Sequence, residues 1–174
     1  KEYHKTEELH QVLNPESGYL YNANNTPFKS TSTNENPNSK DFPKEMGYSL
    51  YDNNRSTRIY ELIESYEKID FSDFKSIKFD YKYPTPFTFN FVDVNEIMEM
   101  NPDDYPDISD LIIEIQNWDR STSSDSLGAG IFAIFYYNLG KYIRKPYINR
   151  NISKNLIAQM FWEVKAYMVI PCNK

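Results

Sequence analysis

Two short polar segments carry side chains that could take part in chemistry. The first is Tyr21-Asn22-Ala23-Asn24-Asn25-Thr26-Pro27-Phe28. Three asparagines within four residues make a natural turn, because Asn tolerates left-handed backbone and bonds its own chain. The same residues allow another role. A neutral carboxamide fixed at the end of an extended segment is a hydrogen-bond donor that never titrates, which suits it to stabilising a developing oxyanion. The second segment is Asp52-Asn53-Asn54-Arg55-Ser56-Thr57-Arg58-Ile59. Asn-Asn before a helix start is ordinary capping. Arg55 then falls in the first helical turn, the unfavourable end of the helix dipole for a cation. Arg58, one turn later, can pair with Glu61 or Glu64.

Other chemistries are weakly supported. His4 and His10 are six apart, so they share no helix face as an i, i+4 zinc pair would, and both read as surface histidines. Asp103, Asp104, Asp107 and Asp110 lack the spacing of a calcium loop and read as acidic helix starts. No serine sits in a nucleophile elbow. The five glycines are too scattered for a phosphate-cradling loop.

The elements that must position these residues are mostly helical. Leu9, Val12 and Leu13 suggest a short helix over 5–13, and Tyr19-Leu20-Tyr21 a short strand. Asn24 to Pro43 is a long loop by composition, of a length that usually serves a site, with its tip near Asn34 to Asn38 exposed. Ile59, Leu62, Ile63 and Tyr66 form one apolar helix face. Ser72 is a candidate cap for a second helix reaching about Phe79, followed by an extended exit toward Pro84. Further helices are expected from Asp93 to Met100, and from Pro106 on the stripe Ile108, Leu111, Ile112 and Ile115. After a polar loop, Arg120 to Ser124, a long helix runs from Leu127 to about Tyr142. A last helix carries Leu156, Met160, Val164 and Tyr167. The expected fold class is mainly α with one or two short strands (α+β). No internal repeat or linker appears, so a single domain over 1–174 is expected.

Composition narrows the partners. With 174 residues, 19 Lys+Arg and 25 Asp+Glu, the net charge is −6, which argues against nucleic-acid binding. Mean hydropathy is −0.70, and no apolar run is long enough for a membrane span. The lone Cys172 excludes an internal disulfide. Fifteen Tyr and eleven Phe give too much aromatic bulk for a disordered chain.

Taken in order, Asn22-Ala23-Asn24-Asn25-Thr26-Pro27-Phe28, Asn54-Arg55-Ser56-Thr57-Arg58-Ile59, Trp118-Asp119-Arg120 and Ser126-Leu127-Gly128-Ala129 resemble the penicillin acylase (penicillin amidase) family of N-terminal-nucleophile hydrolases. That family includes the acyl-homoserine-lactone acylases. The resemblance spans roughly residues 7–145. It implies that the chain is an internal part of a β chain with an αββα core, cut autocatalytically from a precursor. The nucleophile would be an N-terminal Ser upstream of Lys1, with its own α-amino group as base. Asn24 matches the oxyanion-hole Asn and Arg55 the positioning Arg. The partners implied are the rest of the β chain, the α chain and an acyl-amide substrate, in a periplasmic or secreted parent. No cofactor is expected. Some family members bind a structural calcium, but the comparable position falls near Glu45 or Met46, which makes ligation doubtful. A non-catalytic helical binding module, or a catalytically dead homologue, is the alternative.

Overall fold

The computed structural model describes residues 3–88, 94–143 and 154–169. They carry six α-helices: α1 (Asn54–Glu64), α2 (Phe71–Lys78), α3 (Val94–Met98), α4 (Ser109–Asn117), α5 (Leu127–Ile143) and α6 (Lys154–Val169). Short 3-10 turns fill much of the remainder. The chain divides into two compact units, Lys1–Phe79 and Asp80–Lys174.

The first unit is mostly loop, held by polar side chains. The expected helix over 5–13 shrinks to one 3-10 turn, Thr6–Glu8. Leu13 is 80% exposed, so its apolar face has nothing to pack on, and a helix that short is marginal without packing. The expected strand at Tyr19–Tyr21 is also absent. Tyr21 N–H donates to the Ser30 carbonyl at 2.9 Å, but the Tyr19 carbonyl accepts from the Thr31 hydroxyl at 2.9 Å, so side chains take the place of a ladder. The loop tip is not uniformly exposed either. Asn36 turns inward, accepting from Ser30 N–H at 2.7 Å and donating to the Ser32 carbonyl at 2.8 Å. His10 is no surface histidine. Its ring lies among Phe28, Phe42 and Tyr48, with centroids 5.5 to 6.3 Å away.

Helix α1 forms where expected, with Ile59, Leu62 and Ile63 half-buried and Tyr66 beyond its end, and Arg58 pairs with Glu61 at 3.3 Å. Helix α2 starts at Phe71 on an Asp70 cap, two residues before the expected cap at Ser72. Asp70 and Asp73 form a reciprocal capping box that fixes the start of this helix. The backbone bonds from Asp73 also hold the Asp70 carboxyl below its usual range.

The second unit has a conventional apolar core. Ile108, Leu111, Ile112 and Ile115 are buried as expected, against Ile131, Phe135 and Leu139 of α5 and Ile157, Met160 and Val164 of α6. Helix α4 packs on α3, α5 and α6, and α5 packs on α6. Gln116 closes the end of α3 by donating to the Met98 and Met100 carbonyls at 3.0 and 2.8 Å. Among the described residues the only β-pairing is an isolated bridge between Lys82 and Ser121. The molecule is therefore mainly α, with almost no strand. Asp93, where the third helix was expected to begin, lies outside the described residues, as does the side chain of Tyr167.

Candidate active site

Asn24 sits at a left-handed turn, with φ of +60°, a conformation that Asn adopts more readily than most residues. The turn is built by its neighbours. Asn22 Oδ1 accepts from Asn24 N–H at 2.8 Å, and Asn25 Oδ1 accepts from Ala23 N–H at 2.8 Å. Asn25 Nδ2 donates in turn to the Lys29 carbonyl at 2.5 Å. Beneath them Ala23 and Thr26 are buried, while Asn24 itself is exposed.

The first turn of α1 meets this turn from another part of the sequence. Asn53 is the N-cap, its Oδ1 accepting from Ser56 N–H at 3.1 Å. Its Nδ2 donates to the carbonyls of both Ala23 and Asn24, at 3.0 Å each. Ser56 is fully buried, and its hydroxyl bonds Asp52 and the Asn53 carbonyl. Two residues beyond the cap, Arg55 donates from Nη2 to Asn24 Oδ1 at 2.8 Å.

That contact decides which way the Asn24 amide faces. A guanidinium has donors only, so the atom toward it must be the oxygen. The amino end, Nδ2, therefore points away from Arg55, and among the described residues nothing accepts from it. Arg55 is exposed, and it shares its position with the N-terminus of α1. The guanidinium and the helix N-terminus both favour negative charge nearby, while the Asp52 carboxylate in the same turn works against them. A charged donor on Oδ1 also polarises the amide and makes Nδ2–H the stronger donor.

A cleft of about 340 Å³ opens in the same unit, lined among others by Tyr21, Phe28, Asp52, Thr57 and Tyr60. Burial, and then the nearby Asp52 carboxylate, push the Tyr21 phenol up to about 12. Tyr21 therefore stays neutral and can serve this wall as a donor. Burial and a 2.5 Å hydrogen bond to Glu64 likewise raise Tyr19.

A family model for penicillin amidase matches residues 1–168. The chain belongs to the penicillin amidase family. The match runs past the 7–145 span of the motif resemblance at both ends and takes in all but the last residue of α6. Comparison with curated proteins and with solved structures finds no match. The family is one of acylase-type hydrolases.

The motifs Trp118-Asp119-Arg120 and Ser126-Leu127-Gly128-Ala129 lie in the second unit. Trp118 Nε1–H is shared between the Ser121 carbonyl at 2.9 Å and Ser126 Oγ at 3.0 Å. Ser126 also caps α5, accepting from Ala129 N–H at 3.2 Å. Arg120, at φ +64°, bonds Thr85 and the Pro84 carbonyl and lies over the Phe87 ring. Asp119 takes Lys82 at 2.7 Å, which lowers its carboxyl.

The position compared with the family's calcium ligand falls on a short turn. Glu45 is exposed on the 3-10 turn Lys44–Met46, and Met46 offers only a thioether. Among the described residues no group of three or more His, Cys, Asp or Glu is arranged to hold a metal.

What sequence reasoning missed is the second half of Asn53. Its capping role is legible from its place before a helix. Its two bonds to the Asn24 turn, 29 and 30 residues away, have no local signature.

Proposed function

We propose that this penicillin amidase chain belongs to an acyl-amide hydrolase and supplies half of its oxyanion hole. In this reading the nucleophile is an N-terminal Ser on an earlier segment of the β chain. Its hydroxyl attacks the amide carbon while its α-amino group takes the proton. The carbonyl oxygen becomes an oxyanion and accepts from Asn24 Nδ2–H. Collapse of the adduct breaks the C–N bond, and the amine leaves with the proton. Water then releases the acyl group by the same steps. Arg55 orients the Asn24 amide, and its charge disfavours protonating the nearby amine, which keeps that amine a base near neutral pH. The β-chain remainder and the α chain of an autoproteolytic precursor complete the site, in a periplasmic or secreted parent.

The observation that carries this reading is the 2.8 Å contact from Arg55 to Asn24 Oδ1, which presents the donor end of the amide. The test is Asn24→Ala in the full-length enzyme, assayed on phenylacetyl, short fatty-acyl and long fatty-acyl 4-nitroanilides. Removing one oxyanion donor lowers kcat by about 10²–10³. An unaltered kcat on every substrate hydrolysed would remove the assignment. The 174-residue chain alone is expected to hydrolyse none of them.

A further inference from the structure

We propose that Asn53 is the positioning residue of this site, setting where the Asn24 amide stands. The inference rests on the catalytic reading of Asn24 given above. Placing a side-chain donor takes two constraints: its backbone must be fixed in space, and its terminal group must be fixed in rotation. Arg55 supplies the second, through Oδ1 at 2.8 Å. Asn53 supplies the first. Its Nδ2 has two hydrogens and two acceptors, the carbonyls on either side of the Asn24 α-carbon link, each at 3.0 Å. Those carbonyls flank the left-handed residue at φ +60°, so fixing both fixes the turn that carries the amide.

The anchor is itself rigid. Asn53 Oδ1 is committed to Ser56 N–H at 3.1 Å. The Asn53 backbone N–H goes to Asp52 Oδ1 at 2.9 Å, and its carbonyl accepts from Thr57 N–H at 3.1 Å. Both constraints on residue 24 thus originate in a single helical turn, from positions 53 and 55. The turn and the guanidinium cannot drift independently, so the amide keeps one pose without help from bulky packing. This matters because Asn24 and Arg55 are both exposed and have little buried surface to hold them. A helix cap alone requires only Oδ1. Ser or Asp would cap as well, and neither can make the two Nδ2 donations.

That difference gives the test. In the full-length enzyme Asn53→Ser keeps a capping oxygen and loses both donors. The melting temperature is expected to stay within a few degrees, KM on the best 4-nitroanilide within twofold, and kcat to fall about tenfold, the loss of one to two neutral hydrogen bonds. In the Asn24→Ala background the same substitution should cost less than twofold, because the group it positions is gone. Asn53→Asp, nearly isosteric and also a capping residue, sets a carboxylate oxygen against the two carbonyls, so it should lower kcat at least as far, and it serves if Asn53→Ser folds poorly. A normal kcat in both Asn53 variants, with kcat reduced in Asn24→Ala, overturns the positioning role and leaves the oxyanion role standing. An equal fractional loss in both backgrounds also overturns it, since it would mark general destabilisation. A normal kcat in Asn24→Ala removes the catalytic reading and this inference with it.

Discussion

Gly128 and Gly130 lie two residues apart in the first turns of α5, and the same substitution at each should move stability in opposite directions. A Cβ at Gly128 would fall 2.5 Å from Trp118 Cδ1 and Cγ and 2.7 Å from its Cβ, whereas a Cβ at Gly130 meets nothing within 4 Å. The indole cannot easily retreat. Its Nε1–H is held by Ser121 and Ser126, and its ring stacks on Phe132 at 5.4 Å, with Tyr83 and Phe87 on its edges. Forcing extra volume into such a site costs about 1–3 kcal/mol. Detaching Nε1–H in addition would leave a buried donor unpaired, for about 1–3 kcal/mol. Against this, Gly→Ala in a helix gains at most about 1 kcal/mol. Gly128→Ala should therefore lose about 2 kcal/mol net, and Gly130→Ala should gain up to about 1 kcal/mol. The assay is urea unfolding followed by tryptophan fluorescence, where Trp118 is the buried reporter. With slopes of roughly 1–3 kcal/mol/M, the two midpoints should separate by about 1 M or more. Equal midpoints, or a more stable Gly128→Ala, would refute the account of why glycine stands at the third position of Ser126-Leu127-Gly128-Ala129.

Two further outcomes follow from the first unit. Arg55→Ala removes a charged donor from Asn24 Oδ1, so kcat of the full-length enzyme should fall on the order of 10- to 100-fold. Arg55→Lys should recover part of that loss, because an ammonium can donate but lacks the planar fork. The Tyr21 phenol, raised from an ordinary 10 to about 12 by burial and then by Asp52, holds its proton in the folded chain after the unfolded chain has lost it. Its contribution is thus complete below pH 10 and is lost as pH rises through 12. Unfolding midpoints between pH 9 and 12 should fall less steeply in Tyr21→Phe than in the parent chain.

Legibility of the fold tracked the amount of buried apolar surface. The stripe of α4, and Leu156, Met160 and Val164 of α6, could be read from the sequence, because Ile112 and Val164 are in contact with partners that any helix of that pattern needs. The expected helix at 5–13 and strand at Tyr19–Tyr21 failed for one reason: each pattern presupposes a partner surface. Leu13 has none, and the strand's neighbours satisfied its backbone with hydroxyls and amides instead. Propensity and periodicity describe what a segment can do, and only tertiary contact selects it.

The candidate site illustrates a sharper limit. Asn24 and Arg55 were singled out by type and motif, but their 2.8 Å contact spans 31 residues, across a loop that holds only short 3-10 turns. No periodicity encodes such a meeting. Its geometry depends on Asn53, a residue whose local reading as a helix cap is correct and incomplete. The side chain has two chemically different ends, and the local rule consumes only the oxygen. Asn, among the good capping residues, alone carries a double donor on the other end, which leaves it able to serve a second partner while it caps. At Asn53 that partner is the backbone on both sides of Asn24. At Asp70, where the cap of α2 serves only its own helix through Asp73, an acid suffices. The contrast between these two caps is the physical reason to regard Asn53 as part of the site and Asp70 as part of the scaffold.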